Sequence, residues 1–314
     1  VLAGLDLTRL ESDDAGMFAR LGDGAARLTL DAGLQGAAAR LLAGHHVPEG
    51  AVVAIDVATG RLLAYASHVE PGPPRDICVE ARAPSASVFK IVTAAALVEK
   101  AHVSADTREC YAGGGEQRIT LADLAADPRK DHVCTTLGGA MGHSVNTVFA
   151  RLALGELTPP ELEAMARRLG YGEPIDFDVS VQPSELHLPS EPLEFARTAA
   201  GFWSTTLSPL EAALLSATIA RGGESVRPTL VDRVVDASGA VTWKAPEAIP
   251  GRRAVARETA EEVTAMMEHT VRAGTCSRAF HDERGLPFLP GVRVAAKTGT
   301  LTDGAAQRYY SWFT

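Results

Sequence analysis

Apolar and polar positions follow two rhythms along this chain, and the changes between them mark its elements. Asp31 stands before Leu34, Ala38, Leu41 and Leu42. Those apolar positions fall on one side of a helix and the carboxylate caps its start, so a helix is expected to about residue 43. Residues 51–56 and 61–66 are short apolar runs split by Val57-Ala-Thr-Gly60, an order that predicts a β-hairpin. Pro84 and the serines at 85 and 87 mark a helix start, and the Ala-rich run to Lys100 predicts that this helix is buried. Thr158-Pro-Pro-Glu161 and Ser208-Pro-Leu-Glu211 each place a hydroxyl three residues before a carboxylate, with proline in the first turn. Both are helix starts; Gly170 stops the first, and the second runs to about residue 220. Residues 228–235 and 240–244 predict a second, smaller hairpin, and 257–271 another helix. Residues 292–296 read as a short strand running into Lys297-Thr-Gly-Thr300, and 308–314 as the next strand. Residues 1–27 show neither rhythm and are read as an N-terminal linker or the remnant of an upstream segment.

Composition narrows the function classes. With 314 residues and 46% hydrophobic content the chain holds a sizeable core, enough for one large domain or two smaller ones. A net charge of −9 argues against nucleic acid as the main partner. No apolar run approaches the roughly 18 residues of a membrane helix. The chain begins at Val1 without a visible signal peptide, so any export signal or anchor is expected in a segment lost before it. Gly113-Gly-Gly115 lacks the Lys-Ser/Thr that a phosphate loop needs, which excludes nucleotide binding there. His45-His46 and Asp131-His132 form no complete ligand set, so neither a metal nor another cofactor is expected. The four cysteines include no Cys-x-x-Cys pair. For Cys110 and Cys134 two readings stand: a loop-closing disulfide, which requires an oxidising compartment, or free thiols.

The candidate chemistry starts at Ser87 and Lys90. On a helix their spacing puts both side chains on one face, a hydroxyl nucleophile beside a possible base. Alone, the pair reads equally well as a helix-start serine and a solvated lysine. Two more short motifs follow in order, Ser144-Val-Asn146 and Lys297-Thr-Gly299, at intervals of 57 and 153 residues. Each of these also has an ordinary reading, as a helix cap or a strand end. Together they form a known set. The chain resembles the transpeptidase domain of penicillin-binding proteins. The likeness extends through Leu28-Thr-Leu-Asp31, Gly50-Ala-Val-Val-Ala-Ile-Asp56, Phe89-Lys-Ile-Val-Thr-Ala-Ala95, Ala200-Gly-Phe202, Ala295-Ala-Lys-Thr-Gly-Thr300 and Trp312-Phe313.

That resemblance implies a mixed α/β fold, with a five-stranded antiparallel sheet flanked by helices. Residues 28–100 and 245–314 would contribute to the α/β part and about 101–200 to a mostly helical part. It implies a peptidoglycan D,D-transpeptidase that acylates Ser87 with D-Ala-D-Ala stem peptides and is acylated by β-lactams. Lys90 would be the base, Ser144 the relay toward the leaving amine, and Asn146 a partner of the substrate amide. Lys297, Thr298 and Thr300 would hold the terminal carboxylate, and the N–H groups of Ser87 and Thr300 the oxyanion. Gly299 would let the substrate approach the strand, and Phe202 and Trp203 would border it. The chain uses 25 Arg against 5 Lys, yet has Lys at both motif positions. Arg cannot release its proton, so a base at position 90 must be Lys.

The same motif order occurs in serine β-lactamases, D,D-carboxypeptidases and β-lactam sensors, and a non-catalytic cell-wall-peptide binder is a further alternative. Asn146 is the only asparagine, so the Glu-x-x-Leu-Asn hydrolytic motif of one β-lactamase class is absent. The expected setting is the extracytoplasmic face of a membrane, within a cell-wall synthesis complex. By resemblance a further strand and a terminal helix lie beyond Thr314, the strand between the first hairpin and the Lys297 strand. Residues 1–314 alone are therefore expected to fold poorly or to be inactive.

Overall fold

A computed structural model describes residues 4–113, 118–246, 251–304 and 306–314. It divides into two compact units: Val1–Arg82, Glu173–Ser184 and Leu207–Arg253 in one, and Ala83–Gly172, Glu185–Thr206 and Ala254–Thr314 in the other.

The first unit holds a five-stranded antiparallel sheet. Its strand order is Glu11–Asp13, Gly16–Leu21, Gly24–Leu28, Val231–Val235 and Val241–Lys244. The irregular reading of residues 1–27 is thus corrected from Glu11 onward. Its buried face includes Ala19 opposite Ala26, both fully buried, in one cluster with Leu28 and Val231. Alanine and glycine are poor strand formers by propensity, which hid these strands. Val231 pairs with Leu28, so the 228–235 run covers its apolar face against residues some 200 positions earlier.

This sheet is a different one from the sheet expected around the first hairpin and the Lys297 strand. Glu49–Ile55 pairs with Leu62–Val69, and Thr298–Asp303 with Arg308–Phe313, each as a two-stranded ladder among the described residues. The helix Ala32–Gly44 starts where expected, its Asp31 carboxylate accepting from the Leu34 N–H at 2.8 Å. The Gln35 amide then bonds both the N–H and the carbonyl of Tyr65, which holds this helix against the hairpin. Ser208 caps Pro209–Ala220 by accepting from Glu211 N–H at 3.1 Å.

The second unit is arranged around the helix Lys90–Ala101, whose residues from Lys90 to Leu97 are all buried. Alanines at 94, 95 and 96 let the helices Asn146–Glu156, Pro159–Arg168 and Arg257–Arg272 pack closely on it. Thr158 and Glu161 form the capping box of Pro159–Arg168. A strand begins at Thr298 rather than across 292–296, although Lys297 and Thr314 exchange backbone hydrogen bonds at 2.7 and 3.0 Å. Arg108–Tyr111 and Val133–Thr136 pair with Cys110 directly opposite Cys134, and the two cysteines are joined as a disulfide. Arg151 sits beneath this ladder. Its guanidinium donates to the carbonyls of Cys110, Asp123 and Ala125 and to both carboxylate oxygens of Asp131. Asp131 therefore serves as an ion-pair partner. Of Gly113-Gly-Gly115, Gly114 and Gly115 lie outside the described residues. No helix among the described residues is long and apolar enough to cross a membrane.

Candidate active site

Ser87 lies on a 3-10 turn, Ala86–Phe89, that leads directly into the Lys90 helix. The turn is held by its surroundings. Ser85 N–H donates to the Thr205 carbonyl at 3.1 Å, and the Tyr171 hydroxyl bonds Ser85 Oγ at 3.1 Å. The Trp312 indole donates to the Pro84 carbonyl at 2.8 Å, tying the Lys297 hairpin to the same turn. Ala86 takes a left-handed φ of 48°, unusual for a residue with a Cβ. Such a conformation persists only where neighbours enforce it, and here it immediately precedes Ser87.

Lys90 is fully buried, and oxygens of three residues are among the partners of its Nζ. They are Ser87 Oγ at 2.8 Å, Asn146 Oδ1 at 2.5 Å and the Ala200 carbonyl at 2.5 Å. Two of these are carbonyl oxygens that accept only; the Ser87 hydroxyl alone among the three has a proton to give. A neutral Lys90 amine would donate to the two carbonyls and turn its lone pair toward Ser87. The arrangement is therefore directional: it suits proton transfer from Ser87 Oγ to Lys90 Nζ. The Phe149 ring lies below Nζ, 5.6 Å from its centroid.

The Ala200 carbonyl reaches Lys90 because Gly201 follows it. Gly201 has φ +88°, and a Cβ there would stand 2.4 Å from the Ala86 carbonyl oxygen. Only glycine allows this loop to press on the Ser87 turn.

Ser144 ends the short helix Leu137–His143 in a left-handed conformation, φ 59°. Its Oγ accepts from Lys297 Nζ at 2.9 Å, and the same nitrogen donates to the Thr298 carbonyl at 2.7 Å. Lys297 is fully buried. Burial disfavours its charged form and pushes its pKa down to about 7, against a smaller opposing effect of the Cys276 thiol. Burial in turn pushes the Cys276 thiol up. Thr300 is exposed on the strand beside Gly299, and an added Cβ at Gly299 would meet Ala86 Cβ at 3.3 Å and Ser87 N at 3.4 Å. The Lys297 strand thus runs alongside the Ser87 turn. Phe202 and Trp203 line a groove of about 540 Å³ with Arg118, Glu194 and Arg197.

The structure brings together two pairs, Ser87 with Lys90 and Ser144 with Lys297, and places Asn146 on Lys90. The Ala200 carbonyl and Phe149 were missed by sequence reasoning. The first is a backbone group and leaves no side-chain signal, though Gly201 beside it does. Phe149 lies three residues after Asn146 on one helix face, a spacing that was available to find it. Among the described residues no group of three or more His, Cys, Asp or Glu is placed to hold a metal.

Comparison with known proteins gives this arrangement a family. The family model described as "Penicillin binding protein transpeptidase domain" matches residues 50–314. The chain belongs to the penicillin-binding protein transpeptidase family. This transpeptidase-family chain is 26% identical over 304 residues to a "Peptidoglycan D,D-transpeptidase PbpA" of Mycobacterium tuberculosis, across 84% of this chain and 58% of that protein. The chain therefore spans 58% of the length of that relative. In structure it is similar to the crystal structure of the D,D-transpeptidase domain of a peptidoglycan glycosyltransferase from Eggerthella lenta. That match has 29% identity and a TM-score of 0.74, and covers 92% of this chain and 73% of that one. Penicillin-binding protein A of M. tuberculosis, 24% identical over 92% of this chain and 73% of its own, shares the fold with a TM-score of 0.74. That protein has also been solved as imipenem and penicillin G acyl-enzyme complexes. These likenesses give the penicillin-binding transpeptidase domains' mixed α/β fold, with antiparallel sheet and helices.

Proposed function

We propose that this chain acts as a peptidoglycan D,D-transpeptidase through a Ser87 acyl-enzyme, and that β-lactams acylate the same serine. The observation that carries this reading is the Lys90 environment, with Nζ 2.8 Å from Ser87 Oγ and 2.5 Å from both Asn146 Oδ1 and the Ala200 carbonyl. The acyl-enzymes of the M. tuberculosis relative support it by analogy.

In this mechanism Ser87 Oγ attacks the carbonyl carbon of the penultimate D-Ala while its proton passes to Lys90. The N–H groups of Ser87 and Thr300 receive the oxyanion, each donor contributing about 3–4 kcal/mol. Collapse breaks the peptide bond, and the departing D-Ala amine takes a proton delivered through Ser144. The acyl group stays on Ser87 until an amine acceptor attacks and restores the hydroxyl. Asn146, which contacts Lys90 through its oxygen, would bond the substrate amide. Lys297, protonated on meeting an anion, holds the terminal carboxylate with the Thr298 and Thr300 hydroxyls. The absence of the Glu-x-x-Leu-Asn hydrolytic motif favours transfer over hydrolysis. By analogy with the penicillin-binding relatives, the reaction takes place outside the cytoplasm on cell-wall stem peptides.

Mass spectrometry of the protein mixed with penicillin tests the reading. A stable adduct at Ser87, absent from Ser87→Ala, is expected. Rapid turnover of the drug would make the protein a β-lactamase instead, and the absence of any adduct would make it a binding domain.

A further inference from the structure

Thr298 has a partner that none of the three motifs contains. Its Oγ1 lies 2.5 Å from Oγ1 of Thr275, in the loop that follows the helix Arg257–Arg272. That loop is pinned to the Ser144 turn. A Cβ on Gly274 would stand 2.1 Å from the Gly142 carbonyl oxygen, and the Thr275 N–H donates to that same oxygen at 3.0 Å. Gly142 precedes Ser144 by two residues. The next residue is fixed as well: the Cys276 N–H and thiol both bond the Thr270 carbonyl, at 3.2 and 3.3 Å. Thr275 therefore has its backbone on the turn bearing Ser144 and its hydroxyl on the strand bearing Lys297 and Thr298. Its side chain is exposed, so core filling does not explain it.

We propose that Thr275 is a positioning residue that sets the direction of the Thr298 hydroxyl, and so favours ligands ending in a carboxylate over ligands whose terminus is uncharged. This rests on the reading above, in which Thr298 donates to the terminal carboxylate. A hydroxyl carries one proton, and a carboxylate accepts without donating. When Thr298 gives its proton to the carboxylate, its oxygen is left to accept, and Thr275 is the donor 2.5 Å away. The chain Thr275 to Thr298 to carboxylate then runs in one sense, and each bond polarises the next. An ester carbonyl in the same place is a weaker acceptor and draws less on the chain. Valine at 275 preserves the shape and the backbone bond to Gly142 but removes the donor, leaving the Thr298 hydroxyl free to turn away.

The test compares acylation rate constants for wild type, Thr275→Val and Thr275→Ser with penicillin G and with its methyl ester. The ratio of the two constants on one sample does not depend on the fraction of protein folded. Thr275→Val is expected to lose about tenfold with penicillin G, as for a charge-assisted hydrogen bond, and less than about twofold with the ester. Thr275→Ser, which retains the hydroxyl, is expected to restore the wild-type ratio to within about twofold. An equal loss on both compounds, no loss on either, or a serine variant no better than valine overturns the proposal. A wild-type protein acylated by neither compound overturns the transpeptidase reading, and this inference with it.

Discussion

Replacing Lys297 by methionine should stabilise the folded protein near pH 6 while disabling its site. Lys297 is fully buried, and burial lowers its pKa from 10.5 to about 7. Between those values the unfolded chain binds the proton and the folded chain does not, so stability rises with pH through this window. Below about pH 7 the folded protein must bury an ammonium, and the penalty is complete; above about pH 10.5 it has vanished. The difference between the two values is about 3.5 pH units, which at about 1.4 kcal/mol each sets an upper bound near 5 kcal/mol. Methionine also loses the bonds to Ser144 Oγ and the Thr298 carbonyl, each worth roughly 1 kcal/mol. The net expectation is a Lys297→Met variant about 2–3 kcal/mol more stable than wild type at pH 6 and no more stable at pH 10. Urea unfolding of both proteins across this range measures it. Arginine at 297, which cannot shed its proton, should be destabilising throughout. A stability difference between Lys297→Met and wild type that stays constant from pH 6 to 10 would refute the reasoning, because it would mean that Lys297 keeps its charge in the fold.

Glu211 makes the opposite case. Burial raises its pKa from 4.5 to about 7 despite a hydrogen bond from Ser184, and its other oxygen has no partner among the described residues. Its charge destabilises the fold increasingly as pH rises from about 4.5 to 7, so Glu211→Gln should gain about 3 kcal/mol at pH 8 and nothing at pH 4, as read by urea titration. Reducing Cys110–Cys134, which are separated by 24 residues, should lower stability by about 3 kcal/mol in unfolding measured with and without reductant. Gly201→Ala forces a Cβ against the Ala86 carbonyl at a left-handed φ, and should slow acylation of Ser87 by at least about tenfold in a stopped-flow β-lactam assay while costing more than about 1 kcal/mol of stability.

How legible each part was depended on whether its cause is local. Asp31, Thr158 and Ser208 cap helices with their own side chains within three residues, so these starts could be read directly. Ser87 and Lys90 are one turn apart, and their contact follows from that turn alone. The strands Gly16–Leu21 and Gly24–Leu28 were missed because alanine, arginine and glycine carry little strand preference, and their partner Val231–Val235 is far away in the chain. Cys110 and Cys134 left two readings open because only strand register places one opposite the other. In the site, the Ala200 carbonyl and the Thr275 hydroxyl act through loops whose path is set by Gly201 and Gly274. Neither belongs to a motif with a regular spacing.

Lys90→Arg bears most directly on whether Lys90 accepts the proton of Ser87. Arginine keeps the capacity to donate to Asn146 and Ala200, but its charge is permanent and it cannot take a proton from the serine. Acylation by penicillin G, followed by intact-protein mass spectrometry against time, should show a single adduct on Ser87 in the wild type. In Lys90→Arg the rate should fall by about 10²–10⁴, the usual contribution of a general base. A Lys90→Arg protein acylated at Ser87 at the wild-type rate would contradict it.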